Sequence, residues 1–123
     1  MSLSQTIRVM LVDDHAMVRR GLATFLMVFD DLELAGEAGS GEAAIQLCDQ
    51  VLPDVILMDL MMPEMDGIAA IKEIKKQRPT ARILVLTNFA GEEMIFPAIK
   101  AGAVGYHLKD SSPETLIEAI RQV

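Results

Sequence analysis

A single cysteine, Cys48, is all that the 123 residues contain. No internal disulfide is therefore possible, which excludes a fold held by cross-links. Cys48 falls in a helical, mostly apolar pattern and reads as a small core residue rather than a reactive thiol. Basic residues are also scarce: 11 Lys and Arg stand against 18 Asp and Glu, for a net charge of −7. That deficit argues against direct nucleic-acid binding by this segment, because phosphate backbones call for clustered Lys and Arg. No apolar run approaches the roughly 20 residues that cross a bilayer, and no signal peptide is visible, which points to the cytosol. Linkers, low-complexity tracts and internal repeats are missing too. What is abundant is hydrophobic residues, at 51%, too many for a disordered chain. The length suits one domain, residues 1–123, around one sizeable core.

The chain is organised around the stretch from Asp54 to Pro63. Four apolar residues, Val55 to Met58, run directly into Asp59. A short apolar run without alternation reads as a strand buried on both faces. A carboxylate at the exit of such a strand is costly unless something there uses it. Asp59 is either the working residue or a solvated Asp that opens a turn; this stretch alone leaves both readings open.

Strand-like and helix-like patterns alternate five times. Ile7 to Val12 is an apolar strand that ends at Asp13-Asp14. Helical spacing follows over 15–29, with Val18, Leu22, Phe25, Leu26 and Phe29 on one face. Residues 32–37 alternate and read as a half-exposed edge strand. Ser40 is a good N-cap for a helix with Ala44, Leu47, Cys48 and Val51 on one side. After the strand that carries Asp59, a third helix is predicted to start with Asp66 as its cap, to bury Ile68, Ile71 and Ile74, and to end at Pro79. Ile83 to Leu86 is another continuous apolar strand, stopping at Thr87. A fourth helix lies within 92–101. Pro97 lacks a donor and crowds the preceding turn, so the regular helix is expected to start near Phe96, with 91–95 as a loop. Gly105 to Leu108 is a short strand that stops at Lys109. Ser111-Ser112-Pro113-Glu114 is a strong helix start, and Leu116, Ile117 and Ile120 give that helix its buried face.

This pattern implies an α/β fold, a (βα)5 doubly wound parallel sheet of the flavodoxin-like type. Strands 1, 3 and 4 are nearly all apolar and hence central; strands 2 and 5 are edges. With right-handed crossovers the simplest order is 2-1-3-4-5. The winding then reverses between strands 1 and 3, and ligand crevices open at the carboxyl ends of strands at such a reversal; this same fold is a known example of that general rule. Asp13, Asp14 and Asp59 all fall there.

Three converging carboxylates repel each other, by about 1 kcal/mol per pair at ~4 Å in water and about 4 kcal/mol at an effective dielectric near 20. Such a cluster raises a pKa or holds a divalent cation. Oxygen ligands without Cys or paired His select a hard cation, Mg²⁺ or Mn²⁺. Mg²⁺ commonly shares its shell with a phosphate oxygen, which suggests phosphoryl chemistry. Thr87 and Lys109, at the same rim, add a hydroxyl donor and an ammonium. A carboxylate nucleophile, a metal, a hydroxyl and a lysine are the parts needed to place and neutralise a transferring phosphoryl group.

Over nearly its whole length the chain resembles the receiver domain of bacterial two-component response regulators. The matching motifs are Leu11-Val12-Asp13-Asp14-His15, Asp59-Leu60-Met61-Met62-Pro63 with Met65-Asp66-Gly67, Leu86-Thr87, and Gly105-Tyr106-His107-Leu108-Lys109. Asp-Asp-His after the first strand and Lys-Asp at the last motif are most similar to the NarL/FixJ (LuxR-type) subfamily. The resemblance implies that Asp59 accepts a phosphoryl group from a sensor histidine kinase. It implies that Asp13 and Asp14 hold Mg²⁺ (or Mn²⁺), with the backbone carbonyl of Met61 completing the protein's share. Lys109 pairs with the phosphoryl oxygens, Thr87 turns toward them and Tyr106 follows inward. It further implies a signalling domain rather than an enzyme, catalysing only its own phosphoryl transfer and dephosphorylation. The resemblance implies, too, a homodimer on activation and a C-terminal helix-turn-helix domain, absent here, that meets DNA and regulates transcription.

Two features depart from the pattern. Asp110 follows Lys109 where many receivers carry a cis proline, and a cis bond before a non-proline costs roughly 2.5–4 kcal/mol. Pro97 lies in the usual signalling face. His15 either tunes the site or is only a polar residue that begins helix 1, and His107 reads as a surface residue of strand 5. Met10 and Met58 are core filler, Met61 and Met62 flank the acceptor, and Phe89 is a candidate contact at the mouth of the site. Two other classes compete. A phosphohydrolase of the haloacid-dehalogenase type would carry its nucleophile on strand 1 with a second Asp two residues on, whereas here Met61 follows Asp59 at that spacing. A phosphate-independent interaction module would not need the whole set of site residues.

Overall fold

The computed structural model describes residues 6–60, 67–87, 92–108 and 112–123. Five strands and five helices alternate: β1 (Ile7–Val12), α1 (Ala16–Leu26), β2 (Leu32–Ala38), α2 (Gly41–Val51), β3 (Val55–Asp59), α3 (Gly67–Gln77), β4 (Arg82–Thr87), α4 (Glu92–Ala101), β5 (Gly105–Leu108) and α5 (Pro113–Gln122). The strands form one parallel sheet in the order β2-β1-β3-β4-β5, as the apolar content of the strands predicts. β3 is buried at all five residues. Its neighbours β1 and β4 are buried along most of their length, while β2 at one edge is mostly half-buried.

Side chains alternate between faces along each strand, so every central strand feeds two cores. Met10, Val12, Ile56, Met58, Ile83 and Val85 pack with Ala44, Cys48, Ala70, Ile71, Ile74 and Ala98 from α2, α3 and α4. Val9, Leu11, Val55, Leu57, Leu84 and Leu86 pack with Leu26 of α1 and Leu116, Ile117 and Ile120 of α5. Cys48 is fully buried in the first of these cores, and burial pushes its thiol pKa up, which keeps it inert at neutral pH.

The helix ends follow local chemistry. Ser40 caps α2 by accepting from the Ala43 N–H, at 3.1 Å. Ser112 caps α5 by accepting from the Thr115 N–H, with Pro113 in the first turn. Leu52 ends α2 in the left-handed region at φ 49°, and its carbonyl and that of Pro53 receive the Arg78 guanidinium. α1 ends at Leu26, earlier than the expected Phe29, because Val28 N–H and Phe29 N–H turn back to the Phe25 and Leu26 carbonyls in a tighter turn. Phe29 nevertheless packs edge-on against Phe25, with ring centroids 5.3 Å apart.

One expectation is overturned. α4 runs from Glu92 to Ala101 with Pro97 inside it, rather than starting near Phe96. Proline removes one backbone hydrogen bond, at a cost of about 3 kcal/mol in an exposed helix. Here Ala98, next to it, is fully buried against the sheet, and that tertiary anchor keeps the turn helical. Asp66, expected as the α3 cap, lies outside the described residues, as do Phe89, Met62, Ser111 and the Lys109–Asp110 bond.

Candidate functional site

The first strand delivers Asp13 to the rim at the reversal point. Asp13 N–H donates to the Ala38 carbonyl on the neighbouring strand at 3.1 Å, which continues the sheet pairing one residue past β1. Its side chain then turns the chain into α1: the His15 N–H donates to Asp13 Oδ1 at 2.8 Å. From inside α1, Arg19 donates to the Asp13 carbonyl, and its Nε meets Glu37 Oε1 of β2 at 3.1 Å. The bend that aims Asp13 is thus braced from both sides.

Asp59 is the last residue of β3, opposite Leu86 of β4. It is 2% exposed, as is Asp13. Its backbone is pressed by the start of α3. A Cβ built on Gly67 would lie 2.7 Å from Leu60 Cα and 2.8 Å from the Asp59 carbonyl oxygen. Gly67 N–H also donates to the Leu60 carbonyl at 3.2 Å, so only glycine lets α3 begin this close to the Asp59 turn. Thr87, one residue beyond Leu86, is 1% exposed and pairs in register with Leu108, the residue before Lys109. Tyr106 sits on edge strand β5, in register with Val85, and is 47% exposed.

The acids do converge. Asp13, Asp14, His15 and Asp59 each offer one ligand atom, and these atoms all lie within 4.8 Å of one another. At that spacing the carboxylates repel by several kcal/mol at an effective dielectric near 20, a cost of order 4 kcal/mol per close pair. The donor set fits a hard divalent cation: three carboxylates from two strand ends, with one imidazole beside them and no cysteine in the group. Lys109 and Met61, the remaining expected site residues, lie outside the described residues.

Of the two sequence-level readings of His15, a residue that tunes the site or a polar helix-start residue, the geometry favours the first: its ring Nδ1 lies 3.1 Å from Asp13 Oδ1 and 3.2 Å from Asp14 Oδ1. Arg19 is a contributor that the sequence pattern does not single out. The one available signal was Arg19's position four residues past His15, on the same face of α1.

An acid cluster at the switch point of a 2-1-3-4-5 sheet defines a receiver-type phosphorylation domain, and comparison with known proteins agrees. Residues 9–121 match the family described as response regulator receiver domain. The chain is 48% identical over 115 residues to the transcriptional regulatory protein LiaR of Bacillus subtilis, covering 94% of this chain and 54% of that protein. It is 42% identical over 117 residues to the response regulator VraR of Staphylococcus aureus, covering 95% of this chain and 56% of that protein. It therefore spans about half the length of the curated relatives it matches. Among solved structures, a LuxR-family response regulator from Aurantimonas sp. superposes with a TM-score of 0.90 at 36% identity, covering 96% of this chain and 84% of that one. The receiver domain of the response regulator NarL from Mycobacterium tuberculosis superposes with a TM-score of 0.90 at 31% identity, covering 96% and 95%. The chain belongs to the response regulator receiver-domain family, in its LuxR/NarL branch, and is a phosphorylation-switched signalling domain.

Proposed function

We propose that Asp59 is the phosphoacceptor of this receiver, that Asp13 and Asp14 hold Mg²⁺ beside it, and that the donor is a phosphohistidine on a sensor kinase. The observation that carries this reading is the convergence of Asp13, Asp14 and Asp59 within 4.8 Å at one rim. An Asp59 carboxylate oxygen attacks phosphorus; the new O–P bond forms as the N–P bond breaks, and the electron pair leaves on the imidazole nitrogen of the donor. A bound Mg²⁺ supplies the positive charge that lets four negative groups share one site. The chain's own residues do the rest. Asp13 is held by Arg19 and His15, Asp59 by the strand end and Gly67, and Lys109 meets the phosphoryl oxygens.

The modification adds about −1.5 to −2 charge and new acceptor oxygens. Thr87 is the buried hydroxyl of the adjacent strand end and turns to donate to them. Tyr106, half out of the surface on β5, then fills the space that Thr87 leaves. Moving a population from 1:99 to 99:1 takes roughly 5.5 kcal/mol. Two or three charge-assisted hydrogen bonds, at about 1.5–3 kcal/mol each, supply that scale. The domain catalyses only its own phosphoryl transfer and dephosphorylation. Activation pairs two copies, and in the longer protein a C-terminal DNA-binding domain reads the switch. LiaR's description as a transcriptional regulatory protein and the greater length of both LiaR and VraR support this last step.

Incubation with a small phosphodonor and Mg²⁺ separates the three classes of reading. A receiver yields one stoichiometric phosphoryl adduct, lost in Asp59→Asn. Continuous turnover without an adduct would mean a phosphohydrolase, and no reaction at all an inert interaction module.

A further inference from the structure

The ring of His15 stands where it touches both cation-holding acids at once. Its Nδ1 lies 3.1 Å from Asp13 Oδ1 and 3.2 Å from Asp14 Oδ1. The first contact is a hydrogen bond, in which an ionised carboxylate can only accept, and the second is an ion-pair distance, so one ring nitrogen faces both acids. The His15 backbone N–H also donates to Asp13 Oδ1, at 2.8 Å, so residue 15 brings two donors to the pair. The ring is not needed elsewhere: His15 is the N-cap of α1, and its side chain makes no cap hydrogen bond. It is also on the solvent side. The His15 side chain is 61% exposed, against 3% for Asp13 and 27% for Asp14. A ring so placed swings out without disturbing the core.

We propose that His15 is the molecule's own stand-in for the divalent cation. Its Nδ1–H donates to Asp13 and faces Asp14, and so quiets their repulsion when no cation is bound. Those same oxygen lone pairs are the ones the cation needs, so the ring gives way when the cation arrives. His15 is thus a positioning residue that weakens cation binding and holds the empty acid pair in shape. Losing the ring acts twice in the same direction: the competitor is gone, and the empty state is less compensated. The inference rests on the cation reading of the acid cluster.

The experiment is Mg²⁺ titration of the intact chain by calorimetry and amide NMR, at one pH, for the unchanged protein, His15→Ala, His15→Asn and Asp14→Asn. His15→Ala is expected to bind Mg²⁺ roughly three- to tenfold tighter, the scale of one hydrogen bond. His15→Asn, whose side-chain amide restores a donor, is expected to return close to the unchanged affinity. Asn is also a better N-cap than His and raises thermal stability on its own account, so Mg²⁺ affinity is the deciding readout. Equal affinity in His15→Ala overturns the inference. So does weaker affinity, above all with a nitrogen coupling in the spectrum of bound Mn²⁺, which would make His15 a ligand. The Asp14→Asn arm tests the underlying reading separately. If it abolishes binding that the unchanged protein shows, the cation site stands whatever His15 does; if the unchanged protein binds no Mg²⁺, both readings fall.

Discussion

At the amino-terminal rim of the sheet, Asp31 meets Arg121 at 2.8 Å and Glu33 meets Arg8 at 2.8 Å, whereas at the carboxyl rim Asp13, Asp14 and Asp59 gather, among the described residues, in one group with the His15 ring. The first rim is arranged as stability would have it. Asp54 receives the Arg8 N–H, Arg78 covers two carbonyls at the end of α2, and Arg121 also lies over the Phe29 ring at 5.4 Å. A cavity of about 280 Å³ opens there, yet its walls bear Arg78, Arg82, Arg121 and Asp54 rather than the acid cluster. At the second rim like charges are brought together and partly removed from water. The difference teaches where function sits: not in that hollow but where the fold tolerates an arrangement that stability alone would not choose.

That contrast can be broken in several places. The largest effect is expected at the acids. Asp59→Asn should lose the phosphoryl adduct entirely, and in the absence of Mg²⁺ it should melt higher than the unchanged protein, by about 1 kcal/mol or more of relieved repulsion. Calorimetry with and without Mg²⁺ checks both signs; a lower melting point without metal would mean that the cluster is not strained by its own charge. Next comes Gly67→Ala. Its methyl group would be driven into the Leu60 backbone, so a loss of about 1–3 kcal/mol is expected in denaturant titration, and an unchanged midpoint would show that α3 shifts freely. Thr87→Ala should still accept phosphate but should pass it on poorly, read as lost phosphate-dependent self-association.

The smallest effect belongs to the amino-terminal rim. The Arg121 hydrogen bond holds the Asp31 carboxyl below its ordinary pKa of 3.8. A depressed carboxyl contributes stability above its unfolded value and loses it as pH falls through the lower folded value. Asp31→Asn should therefore slightly destabilise the protein at neutral pH and make no difference well below pH 3.8. Both side chains are more than a third exposed to water, so the effect is small and fades with salt. An effect as large at low pH as at neutral pH would assign it to packing instead.

Most of the fold was legible in the sequence because the two signals that set it are local. Apolar runs, broken only by Arg8 in β1, marked β1, β3 and β4 as central, and the alternation of residues 32–37 marked β2 as an edge. The acids were legible because each ends such a run. What was not legible depends on residues distant in the chain or on tertiary support. Arg19 braces Asp13 only because Glu37 of β2 lies beside it in space. Pro97 was expected to delay α4, and local chemistry favours that, but the burial of Ala98 outweighs it. The His15 ring reveals its role only by where it points.

The central claim is that the carboxylate at position 59, and not its neighbours at 13 and 14, carries the phosphoryl group. After treatment with a small phosphodonor and Mg²⁺, borohydride reduces an aspartyl phosphate to homoserine, and peptide sequencing finds the converted residue. Homoserine at position 59 alone is the expected result; homoserine at position 13 or 14, or conversion at 59 that does not require Mg²⁺, would contradict the account.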